Sequence, residues 1–197
     1  MTRRERLHRC YFYEELDRPA VNSRMNIPAN DPTYDRLRQY LAQHTEIRKH
    51  WPADLVETAY PMKTDTEPFT EDFAREVTCL STPAGELTSS FLVSLKGQPG
   101  LQETYLLKNT EDIEKYLSLP LPEVGGDVSV FFIENEKIGD AGIVETSLGF
   151  NPAGFVVELL GTENFALMSL TNRDWLHALC ARQLQIVLNR VKFFISQ

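Results

Sequence analysis

The chain has 197 residues, a formal charge of −8, and 42% hydrophobic and 10% aromatic residues. This is an ordinary globular composition. It excludes a disordered, collagen-like or low-complexity chain and provides a real core for about one domain. The acidic balance argues against a nucleic-acid surface, and no apolar run reaches the ~18 residues needed to span a bilayer.

Arg3, Arg4, Arg6 and Arg9 open the chain with no apolar segment behind them, so they do not form a secretory signal. Glu5, Glu14 and Glu15 argue against an organelle transit peptide. Cys10, Cys79 and Cys180 are far apart, and no pair has metal or redox spacing. They read as the reduced thiols of a cytoplasmic protein.

In chain order, residues 2–13 read as a helix, with Leu7, Cys10 and Tyr11 at helical spacing. Asp17-Arg18-Pro19 breaks it. Ala20 to Met25 is a strand expectation, residues 26–32 a polar loop, and residues 33–44 a helix carrying Tyr34, Leu37 and Leu41. Leu55 to Tyr60 reads as a strand closed by Pro61, and polar residues 62–72 with Pro68 read as a loop. Phe73 to Leu80 and Glu86 to Leu95 alternate around Ser81-Thr82-Pro83-Ala84-Gly85, which makes a hairpin.

Residues 97–100 are a loop, and Asn109 or Thr110 caps a helix through Ile113, Tyr116 and Leu117. Glu111 and Asp112 suit its positive end, and Pro120 and Pro122 end it. Residues 123–138 fit either a buried strand, Val128 to Ile133, or a helix stripe of Val124, Val128, Phe131 or Phe132, and Ile138. Gly142 to Leu148 reads as a strand. Asn151 caps a helix that has Pro152 first and is stopped by Gly161. Thr171 opens the last helix, with Asp174 in a capping-box-like position.

Leu176, Cys180, Leu184, Val187, Val191 and Phe194 form one stripe of that helix, widened by Trp175, Leu179, Ile186 and Phe193. A helix apolar over so much of its girth needs neighbours on several sides. It runs out at Phe193-Phe194-Ile195-Ser196-Gln197, an end expected to pack against further chain or a partner. No internal repeat is visible.

Three stretches carry a family likeness. They are Thr2-Arg3-Arg4-Glu5-Arg6 followed by Asp17 to Val21; Ser81 to Leu87 followed by Leu106 to Asp112; and Gly142 to Gly149 followed by Glu158 to Phe165 and the long last helix. In this order they resemble the uroporphyrinogen decarboxylase (URO-D)-like superfamily. That superfamily includes the decarboxylase of haem synthesis and methyltransferases that work with corrinoid proteins.

The resemblance implies an α/β chain forming the N-terminal part of a (β/α)8 TIM-barrel-like fold, with residues 73–95 as an inserted β-hairpin. Such a barrel takes about 250 residues or more, so residues 1–197 would be a single domain incomplete at its C-terminal end. The likeness also resolves residues 123–138 as mostly helix.

In that fold the functional side chains stand at the C-terminal ends of the strands. The resemblance therefore places Asn22, Arg24 and Asn26 after the first strand, Glu57 and Tyr60 after the second, and Glu145, Ser147 and Asn151 after the later one. Glu145 would be the catalytic carboxylate and the others would bind substrate; the plainer reading of Glu145 is a strand-end charge reaching solvent. Arg24 matches one arginine of the family's carboxylate-holding loop, where a guanidinium gives two parallel hydrogen bonds. Its plainer reading is a surface pair with Asp31 or Asp35.

Asp54 to Pro61 lacks the family's aspartate at its end, and Gly149 to Glu158 has apolar residues where the family has a tyrosine. The resemblance thus points to corrinoid-linked methyl transfer or to decarboxylation of a carboxylated substrate. Uroporphyrinogen decarboxylation itself is the first alternative, and a non-catalytic, self-associating or partner-dependent domain the second.

The family's zinc ligands would lie past Gln197, so no cofactor is expected within these residues, with zinc reserved for a complete protein. His177 and Cys180, at i and i+3, read as a packing pair. The expected partners are a small-molecule substrate or a corrinoid protein, and a second copy of the chain through open sheet edges; neither nucleic acid nor membrane is expected.

Overall fold

The computed structural model is a mixed α/β protein. It describes residues 1–23, 27, 30–52, 56–57 and 60–197, with only the backbone of Val56 and Glu57. The elements are α1 (Arg3–Tyr11), α2 (Asp35–His44), β1 (Ile47–His50), β2 (Val56–Glu57), β3 (Met62–Pro68), β4 (Phe73–Thr82), β5 (Gly85–Ser94), β6 (Leu101–Thr104), α3 (Thr110–Leu117), β7 (Val124–Gly125), α4 (Ser129–Ile138), β8 (Gly142–Glu145), α5 (Pro152–Leu160), α6 (Thr162–Thr171) and α7 (Arg173–Ile195). They divide into two compact units, Met1–Leu55 with Gly126–Ser147, and Val56–Gly125 with Leu148–Gln197.

In the first unit β1 and β8 run parallel, from Ile47 opposite Gly142 to His50 opposite Glu145. Helix α4 precedes β8 and packs on it, and α1 packs on β8 as well. Gly142 is needed for this approach, since a Cβ there would lie 1.9 Å from the Ile47 carbonyl oxygen. Thr2 caps α1 by accepting from the Glu5 N–H. Leu7, Trp51 and Val144 are buried.

Beside them Glu46, 1% exposed, accepts from Arg6 at 2.7 Å, from Arg18 at 2.6 Å and from the Val21 N–H at 2.6 Å. Arg6 also grips Asp17 with two bonds of 2.7 Å. Over Ala20–Ser23, the described part of the strand expected from Ala20 to Met25, these bonds take the place of a ladder. Val21 gives its N–H to the Glu46 carboxylate and its carbonyl to the Glu46 N–H, and Ala20–Ser23 join no sheet. Arg24 and Met25 lie outside the described residues.

The second unit is built on an antiparallel sheet of order β3-β4-β5-β6. The expected hairpin is present as β4 and β5, but its turn is tighter than the sequence implied: Thr82 pairs with Gly85, leaving Pro83 and Ala84 as the connection. Gly85 has a φ of 128°, which suits glycine. Leu80 and Leu87 face each other across the ladder and enter a core with Leu107, Ile113, Tyr116, Val156, Leu160, Leu176 and Leu179. Of the two residues expected to cap α3, Asn109 and Thr110, Asn109 does so, accepting from the Asp112 N–H.

Several expectations for this unit are corrected. Residues 62–68, read as loop, form strand β3, paired along its whole length with β4. The strand expected from Leu55 to Tyr60 is reduced to β2, a two-residue pairing with β7; Leu55, Thr58 and Ala59 lie outside the described residues. Thr171 closes α6 instead of opening α7, because its hydroxyl bonds back to the Leu167 carbonyl at 3.0 Å.

Residues 123–138 hold the short β7 and then the helix α4. Gly161, at φ 77°, ends α5 and turns the chain through 109° into α6. Among the described residues no closed barrel forms, and no single helix is long and apolar enough to cross a membrane.

Candidate functional site

The parallel pair of the first unit ends in a cluster of charged and aromatic side chains. Arg48 on β1 donates through Nε at 3.0 Å and Nη2 at 2.6 Å to the same Oε2 of Glu145 on β8. Both side chains are partly exposed, at 25% and 34%. The Glu145 carboxylate pushes the Arg48 guanidinium above its ordinary value, offsetting its partial burial. The ladder continues one residue past β1, where the Trp51 N–H donates to the Glu145 carbonyl at 2.8 Å. The buried indole of Trp51 meets the Phe131 ring of α4 edge-on, centroids 5.6 Å apart.

Beyond Trp51 opens a cavity of about 310 Å³ lined by Lys49, His50, Trp51, Pro52, Asp127, Val130 and Glu134. Glu134 receives Lys49 and Lys137, which hold its carboxyl below the ordinary value. Asp127 accepts from the Ser129 N–H at 2.8 Å and hydroxyl at 2.9 Å, and these two bonds hold it low as well. The cavity therefore offers an ammonium and an imidazole to an acceptor, two carboxylates to a donor, and an indole wall to an apolar body.

Of the residues singled out from the sequence, Glu145 stands at this end of β8, and exposed Ser147 follows two residues on. Asn22 follows Val21, which is bonded to Glu46 at the opposite, N-terminal end of β1. Arg24, Asn26 and the side chain of Glu57 lie outside the described residues.

Tyr60 and Asn151 belong to the second unit, where each has a structural partner. The Tyr60 hydroxyl donates to the Pro120 carbonyl at 2.7 Å and accepts from Arg182 at 2.8 Å, tying the exit of α3 to α7. Asn151 caps α5 by accepting from the Gly154 N–H at 2.8 Å. Arg48, Lys49, His50, Trp51 and Glu134 escaped the sequence reading, because one isoleucine among basic residues carries no strand alternation; the Trp51-Pro52 stop was the only local signal.

Among the described residues no three His, Cys, Asp or Glu side chains converge to hold a metal ion. Burial pushes the Cys180 thiol up, and burial with the nearby Glu86 does the same to Cys79, so neither is poised as a thiolate ligand. No protein-family model, curated protein or solved structure matches the chain.

Proposed function

We propose that the chain is part of a URO-D-like enzyme that acts on a carboxylated small molecule by methyl transfer or decarboxylation, with the C-terminal edge of β1 and β8 facing the substrate. The observation that supports it is the Arg48–Glu145 pair at the ends of adjacent parallel strands, next to a cavity. In parallel α/β folds ligands bind beyond the carboxyl ends of the strands. Helix α4 leads into β8, which runs parallel to β1, while β2–β7 and α3 lie between β1 and α4; the finer reading takes β1, α4 and β8 as part of a (β/α)8 barrel with those residues inserted into it.

In this reading Lys49 and His50 orient a substrate carboxylate. Both Arg48 bonds go to Oε2 of Glu145, which leaves Oε1 to accept a substrate proton. A non-catalytic, self-associating role is the second reading, favoured by the open edge of β3.

The test is an NMR titration of the protein with mono-, di- and tetracarboxylates and with methylcobalamin, repeated on Arg48→Met and Glu145→Gln. Shifts at Lys49, His50 and the Trp51 indole, with affinity reduced about tenfold in either variant, would support the assignment. Saturable binding with shifts confined to other residues, or unchanged affinity in both variants, would overturn it.

A further inference from the structure

Strand β3 is at the edge of its sheet, and all seven of its residues are exposed. Its outer side is paired with nothing among the described residues. Which of its peptide groups face outward follows from one bond. The Pro61 carbonyl accepts from the Ser81 N–H at 2.9 Å, so Pro61 and Ser81 occupy a hydrogen-bonded position of the antiparallel ladder. Such positions recur every second residue, so Lys63, Asp65 and Glu67 bond inward to β4. The N–H and carbonyl groups of Met62, Thr64 and Thr66 then point to the open side. Pro68, which lacks an N–H, ends the run without interrupting it.

Most open edges are blunted by charge, and here one face carries Lys63 followed by Asp65 and Glu67. Lys63 and Asp65 lie on one face, 2.6 Å apart, with side chains 75% and 68% exposed. Consider a second β3 docked antiparallel. Three registers near the middle of the strand bring outward groups together. Two set like charges against each other, Lys63 on Lys63 or Asp65 on Asp65, which destabilises a ladder; the Asp65-centred one also brings Lys63 opposite Glu67 but keeps its like pair at the centre. The third centres on Thr64 and sets Lys63 of each strand against Asp65 of the other, at the closely spaced non-hydrogen-bonded positions. The two existing pairs then become one square of four alternating charges.

We propose that β3 is a docking edge for a second copy of this chain, paired antiparallel about Thr64, with Lys63 opposite the partner's Asp65 in both directions. The two four-stranded sheets become one continuous sheet across a twofold axis. This inference stands independently of the substrate reading.

Size-exclusion chromatography with light scattering on the purified chain provides the test. The wild type is expected at twice 22.6 kDa. Lys63→Glu alone, and Asp65→Lys alone, each place like charges at both cross-strand positions and should raise the dissociation constant about tenfold or more. Mixed together, the two variants restore opposite charges at both positions and should form the dimer again. Hydrogen exchange adds a check on folding: the Lys63 and Asp65 amides stay protected in every variant, while Thr64 and Thr66 gain protection only in the dimer.

A wild type that stays monomeric at millimolar concentration overturns the proposal. So do single variants that remain as dimeric as the wild type, or a mixture of folded variants that does not re-associate.

Discussion

Arg6 and Glu46 come from opposite ends of the first 50 residues and meet at 2.7 Å in the interior of the first unit, with side chains 7% and 0% exposed. The contact fastens α1 to the residue just before β1. It draws in Arg18, Asp17 and the Val21 N–H, so the segment after α1 is held without any regular structure of its own. Removing one member of a buried charge group leaves the others uncompensated. Glu46→Ala should therefore destabilise the first unit by about 3 kcal/mol, measured by denaturant unfolding. Arg6→Met combined with Glu46→Leu should be less destabilised than Glu46→Leu alone, since the guanidinium is removed with its partner.

The same cluster sets an acid limit. Burial pushes the Glu46 carboxyl up, but the Val21 N–H and the two guanidiniums outweigh it and hold it below its ordinary value of 4.5. Asp17 is held far below its ordinary 3.8, chiefly by its hydrogen bonds with Arg6. Groups whose pKa falls on folding add stability that is complete above the ordinary values and is lost as pH drops toward the folded ones. The unfolding midpoint should hold steady down to about pH 5 and fall below about pH 4. In the Glu46→Gln, Asp17→Asn double variant that acid-side decline should be shallower.

Gly161 joins α5 to α6 under two constraints, a φ of 77° and a ring of Tyr105 that a Cβ would meet at 2.4 Å. Gly161→Ala should cost about 1–3 kcal/mol from a backbone conformation, φ 77° and ψ 158°, that essentially only glycine adopts, plus the steric conflict. Tyr105→Ala in the same chain should recover only the steric part. Thermal unfolding of the single and double variants separates the two.

Asn151 is pinned by its capping bond to Gly154. Asn151→Ala should cost about 1 kcal/mol, and Asn151→Asp or Asn151→Ser little. Thermal unfolding of the three variants measures these differences.

Elements whose own side chains carried their structure were legible in the sequence. The β4–β5 hairpin showed because Pro83 and Gly85 punctuate alternating runs and because Leu80 and Leu87 form one apolar face. Asn109 and Asn151 showed because a cap is a local hydrogen bond. Strands without an apolar alternation of their own did not show. Ile47–His50 holds one aliphatic residue, and its conformation comes from pairing with Gly142–Glu145. Met62–Pro68 buries no face, so it has no hydrophobic alternation to read, and only the ladder with β4 makes it a strand.

The candidate site divides the same way. Glu145 could be picked out as a strand-end carboxylate, but its partner Arg48 sits on a strand without a sequence signal.

Residues 51–141 separate the two strands of the parallel pair, and most of them belong to the other unit. During synthesis Ile47–His50 therefore emerges well before the strand that will pair with it exists. The hairpin of the second unit, made of neighbours in the chain, can close at once, while the first unit must wait for a distant segment to return. Trp51, buried in the finished protein, stays uncovered for that interval. A nascent chain stalled before Gly142 would lack the strand that pairs with Ile47–His50, and its N-terminal stretch would stay without that ladder.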